Sequence, residues 1–89
     1  MEKDLILEIE QLTNWTIKGK YIVREIQLES FPAVLDLMMK IGLECEKMNH
    51  HPEWTNVYNK LKIKLTTHDT GDISSKDIQL AKKIDRLLI

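Results

Sequence analysis

Residues 54–65 read WTNVYNKLKIKL. From Leu61 onward apolar and polar positions alternate, with Leu61, Ile63 and Leu65 set against Lys62, Lys64 and Thr66. A period of two marks a strand with one face buried and one in water, as in an antiparallel sheet. Trp54 to Tyr58 is strand-like too, and Asn59-Lys60 reads as a two-residue turn between the strands. A second hairpin lies upstream. Trp15-Thr16-Ile17 is its first strand and Lys18-Gly19-Lys20 its turn, with glycine supplying the left-handed dihedral. Tyr21 to Leu28 alternates, placing Ile22, Ile26 and Leu28 on one face, with Arg24 as the exception.

Helices flank and separate the hairpins. Residues 2–13 carry Leu5, Ile9 and Leu12 at helical spacing, with Glu2 on the polar side. Ser30-Phe31-Pro32 starts a second helix, with serine near the N-cap and proline in the first turn. It runs to about Met48. Val34, Leu37, Met38, Ile41, Cys45 and Met48 form its apolar stripe, widened by Phe31, Leu35, Met39 and Leu43. So broad a stripe belongs against a core or a partner chain. Ser74 or Ser75 caps a third helix. Asp77 is placed for a capping box, and Ile78, Ala81, Ile84 and Leu88 form the inner face. The order α-β-β-α-β-β-α predicts an α+β fold, a four-stranded antiparallel sheet with three helices packed on one face. Residues 1–89 are expected to form a single domain.

Composition excludes several function classes. Fourteen acidic and 13 basic residues leave a net charge of −1, with no global basic footprint for nucleic acid and no polybasic membrane signal. Cys45 is the lone cysteine, which fits a reducing compartment. Charges interrupt the N-terminal apolar residues, unlike a secretory signal, and no apolar run approaches the ~20 residues of a membrane span. The cytoplasm is the expected location.

Immediately before the second hairpin stands Asn49-His50-His51-Pro52. Pro52 disfavours helical backbone at His51, so the long helix must end between Met48 and His50, with Asn49 suited to a left-handed terminus. A helix C-terminus favours a protonated imidazole by ~0.3–1 kcal/mol. Glu46 lies one turn before His50, and His68 ends the alternating strand. Three readings stand together here: polar capping residues, a metal site using Cys45 or Glu46, and acid–base catalysis. The second lacks the usual ligand spacings. The third fits because imidazole exchanges protons near neutral pH. Cys45 lies on an apolar stripe, a poor setting for a nucleophile. The three glycines, at 19, 42 and 71, are too scattered for a phosphate loop. Trp54 reads as a core residue or as a wall for a flat heterocycle, and Asp77 as a cap with a carboxylate to spare.

In these residues the sequence resembles the pterin-4a-carbinolamine dehydratase family. The signature is an acidic residue, three spacers, His-His-Pro, an aromatic-rich strand, a further histidine and a later aspartate. The chain supplies Glu46, His50-His51-Pro52, Trp54, Tyr58, Thr67-His68 and Asp77-Ile78, with no departure at those positions. The resemblance implies dehydration of 4a-hydroxytetrahydrobiopterin to quinonoid dihydropterin, without metal or redox cofactor. It implies that His50, His51 and His68 are the acid–base and substrate-orienting set. Glu46 would bind the pterin or tune His50, Asp77 would orient the His68 side, and Pro52 and Trp54 would shape the pocket. It also implies a homodimer or homotetramer, and a second role in which some members serve as dimerisation cofactors of homeodomain transcription factors.

Overall fold

The computed structural model describes residues 3–89. Seven elements follow in order: α1 (Lys3–Glu10), β1 (Thr16–Lys18), β2 (Tyr21–Gln27), α2 (Phe31–Met48), β3 (Glu53–Val57), β4 (Lys60–Leu65) and α3 (Ser75–Leu87). This is the expected α-β-β-α-β-β-α order. The expected first helix is shorter than 2–13, and its Glu2 lies outside the described residues.

The sheet is antiparallel throughout, in the order β1-β2-β4-β3. The two hairpins therefore meet through their second strands, with Ile22 opposite Leu65 and Ile26 opposite Leu61. These residues and Ile63 face the helices. Val34, Leu37, Ile41 and Cys45 of α2 and Ile78, Leu80, Ala81 and Ile84 of α3 close the core over them. Leu80 joins the fully buried set unforeseen, whereas Leu88 is only partly buried.

Arg24, the exception in its alternating strand, faces the helices between Ile22 and Ile26 with its charge compensated. Its guanidinium pairs with Asp85 of α3, which also accepts a 2.9 Å bond from the Trp15 indole N–H. A cation beneath a helix layer is tolerable because it is paired there.

The second hairpin turns one residue earlier than its sequence suggests. Tyr58 and Asn59 make the turn, Tyr58 at φ 52°, and Lys60 already belongs to β4. Asn56 holds the turn by donating to the carbonyls of Tyr58 (3.0 Å) and Lys60 (2.9 Å).

The wide stripe of α2 divides into two. Val34, Leu37, Ile41 and Cys45 are buried, while Phe31, Leu35, Met39 and Leu43 are 42% to 68% exposed. The second row, spaced by four, runs down the outside of the helix. Among the described residues no helix is long and apolar enough to cross a membrane.

Candidate active site

The end of α2 positions the histidine pair. Asn49 adopts the left-handed conformation (φ 51°, ψ 44°), its N–H bonds to the Glu46 carbonyl at 3.3 Å, and the His50 N–H bonds to the Cys45 carbonyl at 3.1 Å. These two bonds form a Schellman motif, which ends the helix and turns the chain through a fixed angle. His50 is the residue that completes it, so its backbone is anchored to the helix it leaves.

The start of α3 supplies the partner. Ser74 caps the helix, and Asp77 returns to the Ser74 N–H at 2.8 Å, completing a capping box. The same Asp77 oxygen accepts from the Thr67 hydroxyl at 2.8 Å, and its other oxygen lies 2.6 Å from Nε2 of His50. Asp77 is 0% exposed and His50 8%. With two donors on one oxygen, Asp77 serves as an acceptor, so Nε2 of His50 carries the hydrogen and Nδ1 is left to exchange a proton. The hydroxyls order themselves likewise. Thr67 spends its one hydrogen on Asp77, so across the 2.5 Å contact Ser74 donates to Thr67.

The neighbouring histidine has the other carboxylate. Nε2 of His51 lies 2.6 Å from Glu46, with side-chain exposures of 56% and 75%. Glu46 thus meets His51 rather than His50, and Asp77 meets His50 rather than His68. His68 has no side-chain hydrogen bond or ion pair among the described residues.

A cavity of about 270 Å³ opens where these segments meet. His50, His51, Pro52 and His68 line it, so the structure brings the three histidines of the chain to one concavity. Asp77 stands behind His50. Trp54 does not line the cavity; it faces inward from β3, partly buried against the core. Residues without a foreseen role also line it: Asn49, Glu53, Thr66, Thr67, Asp69 and Lys76. Thr67 was detectable as the neighbour of His68, but only the fold shows that its hydroxyl reaches Asp77. A larger concavity of about 660 Å³ lies at the far end of the sheet and contains no histidine.

Cys45 is 1% exposed, and burial, with Glu46 beside it, pushes its thiol up to about 11. It takes no part in this surface. Among the described residues no three His, Cys, Asp or Glu side chains converge as a metal-binding group.

The profile of the family described as pterin 4 alpha carbinolamine dehydratase matches residues 1–87. The chain belongs to the pterin-4a-carbinolamine dehydratase family. Relatives from Prochlorococcus marinus (strain NATL2A) and Solibacter usitatus, both named "Putative pterin-4-alpha-carbinolamine dehydratase", are 48% and 43% identical. The first alignment covers 90% of this chain and 84% of the relative, the second 97% and 90%. A crystal structure from Brucella melitensis, described as a transcriptional coactivator/pterin dehydratase, superposes with a TM-score of 0.90 at 30% identity. It covers 97% of this chain and 94% of its own. The fold is therefore the pterin dehydratase fold, and the family's chemistry concerns a pterin.

Proposed function

We propose that this protein dehydrates 4a-hydroxytetrahydrobiopterin, the pterin-4a-carbinolamine, to quinonoid dihydropterin, as a step in tetrahydrobiopterin recycling. The observation that carries this reading is the buried His50–Asp77 pair on the wall of a cavity shared with His51 and His68. Dehydration breaks the C4a–O bond, removes the N5 proton and forms C4a=N5. It needs a base at N5 and an acid at the departing hydroxyl, and the step is redox-neutral, so no redox cofactor is required; the family resemblance implies no metal either. His50 is assigned as the base, because the buried carboxylate of Asp77 stabilises the imidazolium that forms. Proton delivery to the hydroxyl falls to the more open His51 and His68. Each transfer contributes ~10²–10⁴-fold. Glu46 orients His51, and Pro52 shapes the wall beside it. Trp54 supports that wall from the core side.

The decisive assay generates the carbinolamine and follows its absorbance decay with and without protein, in EDTA. Decay faster than the spontaneous rate is expected. An unchanged rate sinks the enzymatic reading, and loss of acceleration in EDTA restores a metal site.

A second reading, a dimerisation cofactor for a transcription factor, is favoured by the exposed row Phe31, Leu35, Met39 and Leu43 and by the coactivator description of the Brucella protein. The same row suits a homodimer or homotetramer. We place the protein in the cytoplasm, as a single domain over residues 1–89, with no nucleic acid bound directly. Light scattering of Met39→Glu tests the row. Met39 is 68% exposed, so the variant should fold and lose the oligomer.

A further inference from the structure

We infer that Glu53 is the residue that grips the pyrimidine edge of the pterin and sets specificity for a 2-amino ring. The inference rests on the pterin reading above and extends it to the substrate's orientation.

A pterin presents its 2-amino group and N3–H as two parallel donors. A carboxylate accepts such a pair in bidentate fashion, in charge-assisted bonds about twice as strong as neutral ones. The cavity therefore calls for an unspent carboxylate. Asp77 is spent on His50, Thr67 and the Ser74 N–H, and Glu46 meets His51 without lining the cavity. Glu53 and Asp69 remain on the cavity wall. Asp69 belongs to the turn after β4. Glu53 opens β3, held in the ladder directly opposite Lys64.

The sheet also keeps Glu53 free of a cation. Lys64, its ladder partner, lies with its ammonium 4.3 Å from the centre of the Tyr21 ring, a cation–π contact. No ion pair among the described residues includes Glu53. Glu53 also bears on Tyr21, whose hydroxyl it raises above its usual range, with burial adding to the shift.

The spacing suits the chemistry. Glu53 and His50 are three residues apart, which in extended chain is at most about 10 Å between Cα atoms. Within the pyrimidine ring C4a is para to C2, the carbon bearing the amino group. A ligand clamped at its amino edge by Glu53 points C4a away from it, towards the histidines.

The test compares 7,8-dihydropterin with its 2-oxo counterpart, 7,8-dihydrolumazine, by fluorescence titration of the intact protein. Wild type should bind the amino compound more tightly, and Glu53→Gln should weaken that binding about 10-fold or more and erase the preference. Tyr21→Phe should weaken it less. Glu53 is exposed, so an unchanged unfolding curve for Glu53→Gln is expected. Wild-type affinity and preference in Glu53→Gln, or loss of preference in Asp69→Asn instead, overturns the inference. If wild type binds neither compound, the pterin reading itself fails.

Discussion

His50 and His51 are neighbours in sequence, and each holds a carboxylate at 2.6 Å, yet the two pairs differ physically. The His50–Asp77 side chains are 9% and 0% exposed; those of His51 and Glu46 are 56% and 75% exposed. Water screens the outer pair, and such pairs contribute ~0–1 kcal/mol. The inner pair lacks that screening, and removing one partner strands the other. Equal distances therefore describe a fixed device on one side and an adjustable contact on the other.

Removing Asp77 should break the comparison most severely. Asp77→Ala leaves His50, the Thr67 hydroxyl and the Ser74 N–H without their acceptor, and urea unfolding should show a loss of ~3–5 kcal/mol. Asp77→Asn keeps the volume and should fold, but lose ~10²-fold or more in dehydration rate, because an amide cannot stabilise the imidazolium. Wild-type turnover in that variant would remove the charge from the mechanism.

His68→Ala comes next and separates chemistry from stability. His68 has no side-chain hydrogen bond or ion pair among the described residues, so denaturation should be unchanged while turnover falls by ~10²–10⁴-fold. Asn49→Val tests whether the Schellman turn places the inner pair. A β-branched residue resists positive φ, so stability should drop by ~1–3 kcal/mol, with turnover falling in parallel. Asn49→Gly should be nearly silent in both.

The outer pair should respond least. Glu46→Gln should change stability by at most ~1 kcal/mol and turnover by a few-fold. A double-mutant cycle on His51 and Glu46 should give a far smaller coupling than one on His50 and Asp77. Cys45 reports on the same end of α2 without touching the chemistry. Its thiol, raised by burial, should resist iodoacetamide at neutral pH, and labelling should quicken only as the pH climbs towards about 11. Rapid labelling at pH 7 would reveal an α2 terminus that opens, and an inner pair less fixed than its geometry.

Local physics explains what could be read from the chain. Alternation in Leu61, Ile63 and Leu65, the Ser30 and Ser74 caps and the proline after His51 each act within a few residues, so strand, helix starts and helix end followed from spacing. The hairpin turn was displaced by one residue because Asn56, a side-chain donor outside the turn, secures Tyr58 and Lys60. The Arg24 exception could be noticed in sequence, but its explanation lies 61 residues away in Asp85.

The candidate site divides the same way. The histidines, Glu46 and Asp77 stood out by residue type and by family resemblance, and the helix end by Asn49 and Pro52. Which carboxylate meets which histidine depends on how α3 docks beside the end of α2, across 27 residues for His50 and Asp77. Burial depends on the same docking. So does the sheet order that sets Glu53 opposite Lys64 and leaves Tyr21 within reach. Sequence alone determined the elements, their order and the residues able to carry protons, because periodicity, capping and side-chain chemistry are local. Only the tertiary structure decided the pairing, the burial and the unspent carboxylate, because each is a contact between segments that the chain keeps far apart.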